Sequence, residues 1–328
     1  MKLKETTDIV DCHSHFFPNA FGPDSDPSVY LRETEKIGVF KSIISASPTP
    51  RQEYNGKTYF PCIWRWSDRD NRFKYFSIIK NSVGNIISEV PAPTNPFHEV
   101  NQKLLQYIRG TNDGSKEIFM AYLYHPILDT SDELESFLKE PLVKALKIHG
   151  VSTATTTQDI PKYMVELVKR YNKPIIAHTD YSSTVNTPIN RLYRRNNSLD
   201  WINWSLRNNV PLLVTHGARL SESAIKVINS SDNIILGCSP DLMLKEETER
   251  LETLTDASIF DFIVPRINPK KLVYDIDFGW NVFRRNQWQD NDWSSSKRLE
   301  ETLFRYNAKN LISIVLRENA IRFFRLDK

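Results

Sequence analysis

Cysteine is scarce in this 328-residue chain: Cys12, Cys62 and Cys238 form an odd set with no C-x-x-C pair. That argues against a disulfide framework and a thiolate zinc site, and fits a reducing, cytoplasmic setting. Long apolar runs are missing too. No stretch approaches the roughly 18 residues of a membrane span, and the start MKLKETTDIVDCH offers no apolar core of the ~7–15 residues that a secretory signal needs. Neither charge dominates, since 43 Lys and Arg against 40 Asp and Glu leave +3 at pH 7. A phosphate-tracking surface needs clustered basic residues, so a nucleic-acid partner is not expected. Internal repeats and low-complexity tracts are absent as well.

What is present is an alternation. Eight short apolar runs, each leading into a polar or turn segment, recur along the chain: DIVDCHSH (8–15), SIISAS (42–47), IFMAYLYH (118–125), ALKIHG (145–150), PIIAHTD (174–180), PLLVTHG (211–217), NIILGCS (233–239) and KLVYDID (271–277). Near-continuous apolar character is what parallel strands covered on both faces show. Helix-like stretches separate them: Ser131 is expected to cap SDELESFLKE, Asp159 and Pro161 to open DIPKYMVELVKRYN, and Ser198 to start SLDWINWSLRNN. Strand then helix, repeated, predicts an α/β fold, a (β/α)8 TIM barrel whose outer ring is closed by the helical tail. Residues 1–328 read as that single domain. The stretch 48–116 is too long for a barrel connection and reads as an insertion between the second and third strands, serving as a lid or an oligomer contact.

Of the seven histidines, His13, His15, His125, His149, His178 and His216 fall at the ends of predicted strands, and only His98 does not. A barrel gathers such positions at its C-terminal mouth, where its active sites lie. In DIVDCHSHFF, Asp11, His13 and His15 alternate, which in an extended strand sets them on one face. Buried imidazoles and a carboxylate need partners, and a cation is one. Cys12, between them, is expected to face away. Asp11 lies a pleat deeper and is expected to support the histidines by hydrogen bonds. Taken singly, His178 and His216 read as satisfied buried histidines and Asp277 as a helix cap or ion-pair partner; taken with the His-x-His pair they read as a site. Lys147 and His149 share a face of the fourth run, and Asp275 adds an inward carboxylate beside Asp277. Lys147 balances one of those carboxylates or supports a second metal.

The order Asp-x-His-x-His, Lys-x-His, His, His, Asp resembles the amidohydrolase superfamily of metal-dependent barrels. More narrowly it is similar to the branch of aminocarboxymuconate semialdehyde decarboxylase-like enzymes, through DCHSHFFP, LKIHG and ENAIRFFRL. The resemblance implies that His13, His15, His178 and Asp277 bind one divalent metal, zinc before Mn2+ or Fe2+, and that His216 is the nearby acid or base. Asp277 would also take a proton from the metal-activated water. The binuclear variant, with a carbamylated Lys147 bridging two metals and His149 beside it, belongs to other members. Two departures stand out: Gly150 where that branch has proline, and Asp275 where it has glycine.

Arg219, Arg194, Arg195, Trp280 and Asp275 are candidate substrate-binding residues, with Arg284, Arg285 and Arg51 nearby in the pattern. Guanidinium forks match carboxylates, so a small anionic substrate is expected. The expected reaction is hydrolysis of an amide, lactone or related C–N or C–O bond by metal-activated water. The alternative is non-oxidative decarboxylation of an aromatic or unsaturated carboxylic acid in the same site. A metal-dependent nucleic-acid phosphodiesterase fits less well, because that barrel family uses a glutamate where this chain has Lys147 and His149. A non-catalytic binding barrel is the remaining reading.

Overall fold

All eight apolar runs become parallel strands of one sheet. A computed structural model describes residues 8–16, 27–46, 52–54, 57–67, 72–80, 86–91, 96–112, 116–153, 155–180, 194–239, 241–244, 251–278 and 295–327. In chain order the elements begin β1 (Ile9–Phe16), α1 (Pro27–Lys36), β2 (Val39–Ala46), β3 (Gln52–Tyr54), β4 (Lys57–Ser67), β5 (Arg72–Lys80), β6 (Ile86–Pro91) and α2 (Pro96–Thr111). They continue with β7 (Glu117–Leu123), α3 (Ser131–Leu138), β8 (Val143–Ile148), α4 (Gly150–Thr153), α5 (Lys162–Tyr171), β9 (Ile175–Ala177), α6 (Ser198–Asn208), β10 (Leu212–Val214) and α7 (Glu222–Ser230). The last are β11 (Ile234–Gly237), β12 (Asp241–Leu244), β13 (Leu251–Leu254), α8 (Asp256–Ile263), β14 (Leu272–Val273), α9 (Ser295–Arg305) and α10 (Asn319–Phe324).

The main sheet runs β1-β2-β7-β8-β9-β10-β11-β14. Its ends meet through backbone bonds: Cys12 N to Tyr274 O (3.1 Å), Asp277 N to His13 O (2.8 Å) and His15 N to Phe278 O (2.9 Å). The result is a (β/α)8 barrel. Val10, Ile43, Ala121, Ala145, Ile176, Leu213, Ile235 and Val273, roughly one from each strand, fill its interior. Their strand neighbours, such as Ile44, Leu146, Ile175, Leu212, Leu236 and Tyr274, face outward into a second apolar layer with the helices. This two-sided burial explains the near-continuous apolar runs.

The helical tail divides between the two layers. Leu299 and Leu303 of α9 join the outer layer, as expected, whereas Ala320 and Phe324 of α10, with Leu326, pack on the interior cluster. Lys41 bonds Leu326 O at 3.2 Å and pairs with Glu117, so this last segment floors the barrel at the strands' N-terminal ends. Within 48–116, β3-β4-β5-β6 form their own antiparallel sheet. α2 is different, because Phe97, Leu104 and Ile108 are buried in the barrel's outer layer. It is the barrel's helix between its second and third strands. After β11 the chain adds the antiparallel pair β12–β13, which the apolar pattern did not predict.

Helix starts shift by a residue or two from the sequence expectations. Thr130, not Ser131, caps α3 in a reciprocal box with Glu133, and Asn197 caps α6 ahead of Ser198. Asp159 pairs with Thr156 around a short turn before α5, which itself starts after Pro161. Among the described residues no helix is long and apolar enough to cross a membrane.

Candidate metal centre

Strand β1 does not alternate along its whole length. Asp11 pairs with Ser42 and Ser14 with Ile44, so β1 takes three steps where β2 takes two, a β-bulge. The cause is local: the Asp11 carboxylate accepts His13 N–H at 3.2 Å and diverts it from the ladder. Asp11 then faces the helix layer, where the Tyr30 and Ser14 hydroxyls donate to Oδ2 at 2.6 and 2.5 Å, and Oδ1 also accepts Ile276 N–H at 3.0 Å. Two expectations are corrected by this geometry. Asp11 does not share the face of His13 and His15, and Cys12 enters the interior on the same side as His13. Asp11 ties the backbone of β1 to that of the eighth-strand segment. Burial pushes its carboxyl up to about 6, against the pull of its hydrogen bonds.

Most other site positions follow the pleat. Lys147 follows interior Ala145 by two residues, His178 follows Ile176 and Asp275 follows Val273, whereas Asp277, past β14, has left-handed backbone at φ 56°. His216 is out of phase with interior Leu213 and reaches the site by another route. From His216 to Leu220 every residue has φ between 51° and 57°. Left-handed backbone costs about 1–2 kcal/mol per non-glycine residue, so such a run persists only where its surroundings enforce it. All five residues are buried, and Arg219 Nε donates to Thr179 O at 2.6 Å. The turn delivers both His216 and Arg219 beside His178.

Among the described residues, His13, His15 and Asp277 offer ligand atoms within 4.8 Å of one another. His15 Nε2 is 3.3 Å and His13 Nδ1 3.8 Å from Asp277 Oδ1, while His216 Nδ1 is 4.0 Å from Asp277 Oδ2. Lys147 Nζ lies 2.7 Å from His13 Nε2. His178 stands apart from the three: its Nδ1 meets His216 Nε2 at 2.9 Å, and its ring stacks on His149 at 3.8 Å. Its Nε2 is 3.6 Å from Asp180 and 3.4 Å from Arg219. The four ligands that the resemblance implies are thus assembled as three and one.

Burial, then neighbouring Lys147, holds His13 well below the usual imidazole range; burial, then Arg219, does the same for His216. Both shifts favour the neutral ring, the form that metal ligation requires of His13. Asp275 is pushed well up by burial, with Asp277 and Asp11 adding to the shift and the Ser239 hydroxyl opposing it. Buried His13 Nδ1 and Asp275 Oδ2 take no hydrogen bond. Such orphaned polar atoms are rare in folded interiors and fit a cation's donors. The residues present fit a divalent cation.

Sequence reasoning missed two serines. Ser45 Oγ lies 2.9 Å from His15 Nδ1, the nitrogen turned from Asp277, and Ser239 Oγ 3.1 Å from His216 Nδ1, the nitrogen nearer Asp277, so each helps to fix a ring. Arg219 is wholly buried, Arg194 half-buried and Arg195 exposed. Trp280, Arg51, Arg284 and Arg285 lie outside the described residues.

Two strand-end residues have local duties. A Cβ on Gly150 would fall 1.9 Å from Asn196 Oδ1, and Asn196 is itself buried and bonds Thr155 O at 2.9 Å. Proline has no room there. Gly150→Ala is expected to cost about 1–3 kcal/mol, seen as a lower urea midpoint at unchanged m; a wild-type midpoint would show that Asn196 yields freely.

His125 does not join the mouth cluster as predicted. It packs against Phe97, and its Nδ1 accepts Ile127 and Leu128 N–H at 3.3 Å each. Burial lowers its pKa to about 3. Between pH 6.5 and 3 the unfolded chain then binds a proton that the folded one refuses, so stability falls as pH drops through that window. His125→Asn keeps an acceptor for the turn and is expected to flatten the stability–pH slope there by about 1.4 kcal/mol per pH unit. Urea titrations at pH 4, 5 and 7 test this, and parallel slopes for the two proteins would refute it.

With this geometry in view, comparison with solved structures gives full-length matches. The IDCase of Metarhizium anisopliae in its apo form superposes with a TM-score of 0.56 at 9% identity, over 98% of this chain and 97% of that one. An amidohydrolase from Burkholderia multivorans with bound HEPES gives 0.55 at 10% identity, over 97% and 99%. The chain shares the fold of these two proteins. The same fold is that of the inactive dihydroorotase-like domain of a CAD-like multifunctional protein from Chaetomium thermophilum, with a TM-score of 0.51 at 13% identity, over 97% and 79%. The last case shows that the fold alone does not guarantee turnover. No protein-family model and no curated sequence matches the chain.

Proposed function

We propose that the chain is a metal-dependent hydrolase that adds water to a small anionic carbonyl compound, at an amide, lactone or related C–N or C–O bond. The observation that carries this reading is the convergence of buried His13, His15 and Asp277 at the strand ends. Two neutral imidazoles and a carboxylate suit Zn2+ and admit Mn2+ or Fe2+. A divalent cation held there supplies a Lewis acid for a carbonyl and lowers the pKa of water to about 7.

The remaining duties fall to the chain. Asp277 is the carboxylate placed to take a proton, with His216 4.0 Å from Oδ2 to receive it. Ser239 and His178 hold the two sides of the His216 ring, which keeps that route aligned. Arg219, with Arg194 and Arg195, anchors the substrate's carboxylate. The sheet β3–β6 serves as a lid, and the buried thiols of Cys12 and Cys238 suit a reducing cytoplasm.

Non-oxidative decarboxylation is the second reading, favoured by the wholly buried Arg219 guanidinium beside His178, a cationic seat for a carboxylate away from water. Protein loaded with Zn2+ or Mn2+, incubated in oxygen-18 water with lactones, amides and aromatic acids, separates the two. Label in the product acid supports hydrolysis. Carbon dioxide released with no label in the organic product transfers the assignment to decarboxylation, and a protein that retains no metal and turns over none of the panel overturns both.

A further inference from the structure

Beyond the end of the seventh strand, a side chain continues the link to the eighth. β11 pairs with β14 as far as Gly237 and Val273. One residue later, Cys238 N–H donates to Asp275 Oδ1 at 2.5 Å. Asp275 also shares a hydrogen bond with the Ser239 hydroxyl, and all three residues are buried. Room for the carboxyl comes from the strand itself, since a Cβ on Gly237 would fall 2.6 Å from Oδ2 and 3.3 Å from Oδ1. A methyl there would displace the carboxyl from its two neighbours.

Ser239 has a second partner, with Oγ 3.1 Å from His216 Nδ1. A hydroxyl donates one hydrogen bond and accepts up to two, so it serves the carboxyl and the ring together. A serine on its own turns among three staggered rotamers, and a fixed partner anchored to the backbone beside it selects one. His216 needs that support, because it is out of phase with its strand and sits on left-handed backbone at φ 57°. Its Nδ1 is also the nitrogen 4.0 Å from Asp277 Oδ2. A misplacement of about 1 Å between reacting groups can cost on the order of a hundred-fold in rate.

We infer that Asp275 is a positioning residue for the proton transfer: through Ser239 it sets the His216 ring against Asp277, in space that Gly237 leaves open. The inference rests on the reading of His216 as the group that receives a proton from Asp277. Asp275 acts from behind the ring, and the cation keeps the three donors that gather for it, His13, His15 and Asp277.

Steady-state kinetics, together with nitrogen-15 spectra of histidine-labelled protein, test this. Asp275→Ala and Ser239→Ala are each expected to lower kcat on the order of a hundred-fold, with KM and bound Zn2+ unchanged. Combining them is expected to cost no more than either alone, because both break one chain of contacts. In the metal-free protein each is expected to move the His216 ring signals in the same direction. Asp275→Asn keeps an acceptor oxygen for Cys238 N–H and for the serine, and is expected to recover most of the loss. Gly237→Ala keeps the carboxyl but crowds it, and is expected to move the His216 signals as Asp275→Ala does. It reads the same contact if the alanine variant at 275 does not fold. Unmoved His216 signals in both variants, or fully additive losses in the double variant, would overturn the role of Asp275. Moved signals in a protein that turns over no substrate would support the hold on the ring and count against the hydrolase reading alone.

Discussion

Exchanging Asp277 for asparagine is expected to strip the protein of bound cation on dialysis and to lower turnover on the order of a thousand-fold, about 4 kcal/mol of transition-state stabilisation. The reason is its central position. Oδ1 is where His15 and His13 converge, at 3.3 and 3.8 Å, and Oδ2 faces His216. Asparagine keeps the shape and removes the charge that both the cation and the proton transfer need. Stability should move the other way, because a desolvated carboxylate is lost from the metal-free protein while its packing stays. Metal analysis, steady-state kinetics and a thermal melt of the metal-free protein together check this. A variant that keeps both its metal and its turnover would remove Asp277 from the centre.

Asp11→Ala is expected to be the most destabilising single change at the site's rear, by about 3–5 kcal/mol. Four buried donors lose their acceptor at once: the Ser14 and Tyr30 hydroxyls and the His13 and Ile276 N–H groups. The bulge that aims His13 is held by one of those bonds, and the seam to the eighth strand by another. Asp11→Asn retains an acceptor for both backbone donors and is expected to recover most of the loss. Urea unfolding at constant m distinguishes the two variants. Equal midpoints for alanine and wild type would mean that neither bulge nor seam depends on the carboxylate.

The barrel was legible because each strand is short, apolar on both faces, and ends in a residue of distinctive chemistry. Lys147 and His178 could be placed from the two-residue period alone; His13 and His15 were found by their mutual spacing and Asp277 by its strand end. Asp11 could not, since a carboxylate that captures a backbone N–H two residues on breaks the period that the prediction assumes. His216 was found by its strand end but not by its conformation; Gly217 is the one glycine in a left-handed run of five. Ser45 and Ser239 gave no signal, because serine is common and its contact with an imidazole on another strand has no local signature. The strands β4 and β5 hid for a different reason. Pro61 sits inside β4 beside an irregularity in its pairing with β5, and proline within a run argues against a strand.

The seam that closes the barrel joins Ser14 to Phe278 and Asp11 to Ile276, residues 264 and 265 positions apart. At roughly 5–20 residues per second of synthesis, β1 waits on the order of tens of seconds for its second neighbour. Throughout that interval its outer edge offers unpaired backbone groups to any passing strand. His13 and His15 are made long before Asp277, which arrives only as the ring shuts. A chain halted short of that point would carry two of the three clustered ligands on an open sheet, with nothing to complete the centre.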